Sequence, residues 1–339
     1  MLEPRIPEGE TTMAPKWAIE IIHTCLNVRE GEKFLLIADE SLAGQADILA
    51  AEARGVNPAW VQTQVIPDSQ RPLTAFPDAL KQPVSEADVV LLMLATLDPG
   101  REQPALMQMR PLINHGRTRA VLTGLATKDV LDNELSADYQ QIAATTLHVA
   151  GQLQGVSAIR VATDSGTDLS MQVAGRRWLT DTGLSRGPGI GNLPAGEVFI
   201  APLEDSANGE LVIDGSIFMT RVDAPVRVTF ENGHALSIEG DETARMLESL
   251  LAVSEGHPGS EWARVIGEFG IGTNDRARLR GNIFVDEKVM GTIHVAIGRN
   301  DMFGGQNTAA MHVDAVVTRP TVWVDDRMII QAGKLLVVD

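Results

Sequence analysis

The sequence is short of several things at once, and each shortage excludes a class of protein. It holds one cysteine, Cys25, so no disulfide can form within the chain, which fits a reducing compartment. Cys25 lies in the apolar stretch 19–26, where the expected role is a small buried hydrophobe rather than a nucleophile. Lys/Arg-rich runs are missing and the net charge is −17, a balance that repels nucleic-acid backbones and anionic membranes as partners. No apolar run approaches the roughly 18 residues of a membrane span. Residues 1–15 are charged and proline-containing, with no apolar signal region and no cleavage pattern, so the expected location is the cytoplasm. Aromatics make up 4%, with a single tyrosine, Tyr139.

What is present is the composition of a well-packed soluble protein, 44% hydrophobic and 22% charged, in a chain of 339 residues that suits two domains. In residues 1–164 short apolar β-rich runs alternate with helical stretches. Strands are expected at 33–37, 59–66, 87–93 and 119–125, and helices at 42–54 and 137–153, leading into 158–162. Such alternation implies an α/β domain whose parallel sheet is covered on both faces. No strand runs into G-x-G-x-x-G and there is no Walker loop, which argues against nucleotide or nicotinamide binding. The one dense glycine cluster, Gly187-Pro188-Gly189-Ile190-Gly191, reads as a prolyl loop.

Over residues 165–339 the rhythm changes to short strands punctuated by Gly, Asn and Asp. Expected strands are 168–173, 197–201, 209–213, 226–231, 235–239, 282–285, 291–297, 311–317, 321–324 and 327–330. Asp214-Gly215 and Asn232-Gly233 mark turns, and one helix is expected at 242–251. This half is therefore a mainly antiparallel β (α+β) domain.

Of seven histidines, His23 and His148 fall in helical patterns, and His115, His234 and His257 sit beside Gly or Pro in expected loops or turns; ordinary surface or core-edge roles suit all five. His312 and Asp314 differ, because positions i and i+2 of a strand share a face and place imidazole and carboxylate side by side. His294 lies among apolar neighbours on another strand, where an unpaired polar side chain is costly. Glu268 sits in Val265-Ile266-Gly267-Glu268-Phe269-Gly270-Ile271-Gly272, and Glu197 in a similar setting, residues 192–200. A buried carboxylate must be paired, protonated or bound to a metal, and a structural ion pair is the plain alternative for each. Glu287, within Asp286-Glu287-Lys288, reads as a solvated turn residue. Two histidines and up to three carboxylates suit one or two divalent ions of Zn, Co, Mn or Fe, with no preference set by ligand softness.

These segments together resemble the aminopeptidase T family of metallopeptidases, the thermophilic leucyl aminopeptidases. The resemblance covers most of the chain. It begins at Leu26-Asn27-Val28-Arg29-Glu30-Gly31-Glu32-Lys33 and is closest over 267–274, 286–298 and 304–314. It implies metal-ligand positions at Glu197, Glu268, His294, His312 and Asp314, a two-metal site, and a dimer. It implies a peptidase acting on small or short-peptide substrates, with Glu268 or Glu197 bridging the ions or acting as general base. The family's tyrosine, seven residues after the first histidine, corresponds here to Asp301. Either Asp301 substitutes in part, or the second metal and the peptidase reaction are lost. Asn192, Asn274 and Arg299, near the ligand segments, are further candidates for substrate contact, with turn or solvent-facing roles as the alternative.

The 2,5-dihydroxypyridine dioxygenases look like the same fold, with one Fe²⁺ on two histidines and an aspartate. They resemble this chain at His312 and Asp314, while their other histidine falls at Glu268. A triad of His294, His312 and Asp314 would be the iron site on this reading. Two functions follow from these resemblances, a metal-dependent amide or peptide hydrolase and an Fe²⁺-dependent ring-opening dioxygenase, and the missing family tyrosine adds a third, a non-catalytic metal- or ligand-binding protein.

Overall fold

Apolar runs and helices of the N-terminal half assemble as the alternation implies, in a computed structural model that describes residues 13–113 and 116–336. Residues 1–12 and His115 lie outside the described residues. Strand Val89–Met93 is buried along its whole length, which its unbroken apolar sequence requires of a strand covered on both faces. Helix Ala43–Gly55 buries Ala46, Leu49, Ala50 and Ala53, a single stripe at helical spacing. The sheet has five parallel strands in the order Trp60–Ile66, Lys33–Asp39, Val89–Met93, Arg119–Thr123 and Gly189–Asn192.

That last strand corrects the expected prolyl loop: part of the glycine cluster pairs with Arg119–Thr123 and closes the sheet. The change of rhythm near residue 164 is therefore not a clean cut in space. Ala158–Ala162 joins an antiparallel sheet of the second half, while Gly189–Asn192 returns to the first.

The second half is a sandwich of an eight-stranded and a seven-stranded antiparallel sheet. Their inner faces share one core. Val161, Leu169, Leu211 and Val228 come from one side, and Ile200, Phe269, Val295 and Val313 from the other. The seven-stranded sheet runs Thr220–Arg221, Ser216–Ile217, His312–Val317, Ile293–Gly298, Ile266–Gly272, Glu197–Ile200 and Leu179–Asp181. Residues 282–285, expected as a strand, form helix Ile283–Asp286 instead; the Asn282 side chain caps it by accepting from the Phe284 amide at 3.1 Å. A short apolar run does not by itself separate helix from strand, and the cap settles it. Among the described residues no helix is long and apolar enough to cross a membrane.

Arg280 ties the halves together. Its guanidinium donates to Glu134 Oε1 at 2.8 Å and pairs with Asp129, both in the α/β half. The Thr146 and Thr273 hydroxyls meet at 2.7 Å across the same junction.

Candidate metal centre

Alternation along the seven-stranded sheet puts five chemistry-bearing side chains on the face opposite the sandwich core. Val313 and Ala315 point into the core, so His312 and Asp314 point out of it; Val295 and Ile297 do the same for His294, and Val198 and Ile200 for Glu197. Glu268 needs one more device. Ile266 and Phe269 both pack in the core, three residues apart, and a β-bulge between Ile266 and Glu268 re-phases the strand so that Glu268 turns to the outer face.

Two glycines make room there. Gly267 lies where a Cβ would meet the Gly298 carbonyl oxygen at 2.4 Å. Gly270, cross-strand from His294, lets the imidazole lie over bare backbone, since a Cβ would fall 1.9 Å from Nε2.

The side chains converge tightly. His294 Nε2 is 3.1 Å from Glu268 Oε1 and 3.4 Å from Glu197 Oε2. His312 Nε2 is 3.2 Å from Asp314 Oδ1 and 3.5 Å from Glu268 Oε2. The potential ligand atoms sort into two triads, Glu197–Glu287–His294 and Glu268–His312–Asp314, within each of which they lie at most 4.8 Å apart. Glu268 stands between the triads, one oxygen toward each imidazole. His312 Nδ1 donates to the Arg299 carbonyl oxygen at 2.6 Å, which fixes the tautomer and turns Nε2 to the carboxylates.

Three residues complete the cluster that sequence reasoning did not assign to it. Glu287, expected to be solvated, is largely enclosed, its Oε1 2.6 Å from Lys288 Nζ. Lys288 is fully buried and also lies 2.6 Å from Glu197 Oε1 and 3.7 Å from Asp181 Oδ2. Asp181 is the direct cross-strand neighbour of Glu197. A run of adjacent charges ordinarily marks a solvated turn; the only cue against it was the apolar segment on either side.

The electrostatics show a site short of positive charge. Burial would lower the pKa of His294, but the Glu268 hydrogen bond and the Glu197 charge raise it to about 9. His312 likewise resists burial through the Asp314 charge and hydrogen bond, reaching about 10. Burial pushes the Glu197 carboxyl up, against the pull of Lys288. Burial acts in the same direction on Asp314, yet the His312 charge holds its carboxyl down. Glu197 Oε2 is buried without a hydrogen-bond partner. Carboxylates and imidazoles crowded together, one of them orphaned, fit a divalent cation: each imidazole would give up its proton and the ion would supply the missing charge.

The remaining candidates scatter. Asn192 ends a strand of the parallel sheet and lines the cavity over the cluster. Asn274, by contrast, is fully buried, donates to the Ala195 carbonyl and accepts from the Arg276 and Ala277 amides, so its polar atoms are occupied within the chain. Arg299 and Asp301 form a bidentate pair at 2.6 and 3.0 Å, and neither side chain is among the cavity-lining residues. Tyr139 is buried in the α/β half, its hydroxyl donating to the Glu134 carbonyl at 3.2 Å.

The cavity has a volume of about 590 Å³. It opens between the carboxyl ends of the parallel strands, at Leu92, Leu122 and Asn192, and the ligand-bearing sheet face, at Glu197, Glu268, His312 and Asp314. Ligands characteristically bind outside the carboxyl ends of such strands. Phe303 packs edge-on against Phe199 and against the His312 ring, with centroids at 5.2 and 5.4 Å, and walls one side.

A family model described as NicX: 2,5-dihydroxypyridine 5,6-dioxygenase matches residues 22–337. Two solved structures share the fold over nearly their whole lengths. The 2,5-dihydroxypyridine dioxygenase from Pseudomonas putida KT2440 is 20% identical, with a TM-score of 0.73 over 94% of this chain and 96% of that one. Wild-type AmpT from Thermus thermophilus is 17% identical, with a TM-score of 0.73 over 95% of this chain and 98% of that one. No curated protein matches in sequence.

Proposed function

The chain belongs to the NicX, 2,5-dihydroxypyridine 5,6-dioxygenase family, and within that family we propose, from the arrangement of its carboxylates, that this member is a two-metal hydrolase of a small amide or short peptide. The observation that carries the proposal is Glu268, whose two oxygens face two different imidazoles at 3.1 and 3.5 Å. A mononuclear iron triad gathers two histidines and one carboxylate on a single ion. Here each triad holds one histidine and two carboxylates, and Glu268, of one triad, turns its other oxygen toward His294 of the other, which supports a bridging role.

Paired divalent ions supply polarisation of a carbonyl and activation of water. The chain's own residues do the rest. Glu268 would bridge the two positions and fix their spacing. Arg299, through its carbonyl, keeps His312 in the ligating tautomer. Glu197, with Oε1 engaged by the Lys288 ammonium at 2.6 Å, would offer Oε2 to the second position. Phe199 and Phe303 give the substrate an apolar wall and keep water from that side of the cavity.

The test pairs metal analysis with activity on aminoacyl anilides and small amides. Two ions per chain, and at least ~100-fold lower activity in Glu268→Gln and His312→Ala, are expected. Metal-free protein with full activity, or activity untouched by both substitutions, would sink the proposal. The family match favours a second reading, an Fe²⁺-dependent ring-opening dioxygenase on a small hydroxylated heteroaromatic. One iron per chain and oxygen consumption with a dihydroxypyridine would select it over hydrolysis.

A further inference from the structure

We infer that Lys288 makes the two triads unequal: the position at Glu268, His312 and Asp314 fills first and tightly, and that at Glu197, Glu287 and His294 fills second and weakly. The inference rests on the two-position reading of the centre, though not on the reaction it performs.

Lys288 is a fixed charge. Its side chain has no exposure, and its ammonium lies 2.6 Å from both Glu197 Oε1 and Glu287 Oε1. Its backbone is pinned on both sides, the amide donating to the Val285 carbonyl at 3.1 Å and the carbonyl accepting from the Asn274 amide at 2.9 Å. The ammonium is thus held, without exposure, among the carboxylates of Glu197, Glu287 and Asp181. Asp181, 3.7 Å away, belongs to neither triad and adds a third carboxylate beside the ammonium.

The charges then differ between positions. With neutral imidazoles, Glu268 and Asp314 present two negative charges and, among the described residues, have no cation within ion-pair distance other than the histidines, the Lys288 charge reaching Asp314 only from farther off. Glu197 and Glu287 present two, of which Lys288 already neutralises one, and the ammonium repels an incoming divalent ion at short range in a buried setting. The same two carboxylates cannot serve both cations at full strength. Lys288 also holds the two carboxylates together against their mutual repulsion.

The experiment is a calorimetric titration of chelator-stripped full-length protein with Co²⁺, read as stoichiometry and affinity. Wild type should show a tight event followed by one at least about tenfold weaker. Lys288→Met should strengthen the second event by about tenfold or more and the first by much less. Glu287→Gln should remove only the weak event, and His312→Ala the tight one. Two equal events in wild type, or an unchanged gap in Lys288→Met, would overturn the inference. Should Lys288→Met not fold, loss of the tight event in Glu287→Gln overturns it equally. Staged binding in a protein that hydrolyses nothing would defeat the hydrolase proposal alone, and equal binding in an active hydrolase would defeat this inference alone.

Discussion

Placing a methyl group at Gly270 tests the geometry of the centre with one carbon atom. In Gly270→Ala the new Cβ would sit 1.9 Å from Nε2 of His294, 2.1 Å from Cε1 and 2.7 Å from Cδ2. Ordinary contact begins near 3.4 Å, so the ring must retreat by roughly 1.5 Å. His294 has no exposure, and Glu268 and Glu197 flank its Nε2, so retreat means breaking the 3.1 Å contact with Glu268 or prising two central strands apart. Overpacking of this kind costs about 1–3 kcal/mol of stability. A shift of this size at a ligand atom should weaken metal binding by at least about 10- to 100-fold, the scale seen when even the supporting contacts of metal ligands are lost. Calorimetric titration with Co²⁺ measures the second effect and thermal unfolding of the metal-free protein the first. Gly44→Ala is the control: a Cβ there meets nothing within 4 Å, in the exposed face of helix Ala43–Gly55. It should stabilise by about 0.4–1 kcal/mol. Unchanged metal affinity in Gly270→Ala would refute the assignment of His294 as a ligand in the observed position.

Other consequences follow from the same charges. His294 and His312 hold protons up to about 9 and about 10 in the metal-free protein, and ligation requires them neutral. Metal affinity should therefore rise with pH between about 7 and about 9, approaching tenfold per unit for each proton displaced; a flat profile would contradict the two-imidazole ligand set. In the metal-free protein the raised values contribute stability that is complete below about 6.5 and lost as pH rises through about 9 and about 10. Chelation should lower the melting temperature, since an ion at a hundredfold excess over its dissociation constant contributes about 2.7 kcal/mol; differential scanning calorimetry with and without chelator measures this. Far from the centre, Arg71 lies 2.6 Å from Glu102 Oε1 and also pairs with Asp39, both carboxylates being buried. Arg71→Ala should cost about 3–5 kcal/mol by urea unfolding, because it strands two buried charges. A loss below about 1 kcal/mol would mean that they protonate or rehydrate freely.

Much of this was legible before any coordinates. The fully apolar run of Val89–Met93 and the alanine–leucine stripe of Ala43–Gly55 report burial directly, because a parallel sheet and an amphipathic helix leave no choice of partner face. His312 and Asp314 were legible together because a two-residue spacing has one meaning on a strand. Two readings failed for the opposite reason. Gly189–Asn192 is a strand only because Arg119–Thr123 offers it an edge, and Ile283–Asp286 is helical because Asn282 caps it within a junction that the fold supplies.

The sequence alone determined the α/β half, the antiparallel half and five of the side chains that line one sheet face. Strand periodicity and the cost of burying charge act locally, so they can be read from neighbours in the chain. Tertiary structure alone decided that those side chains divide between two triads, with Glu287 as the sixth member, through the bulge that turns Glu268 and the register that sets it between His294 and His312. It alone brought in Glu287, Lys288 and Asp181 as well. Their roles depend on which charges meet across strands and turns, and Coulomb energy in a buried site is set by separation in space rather than in sequence.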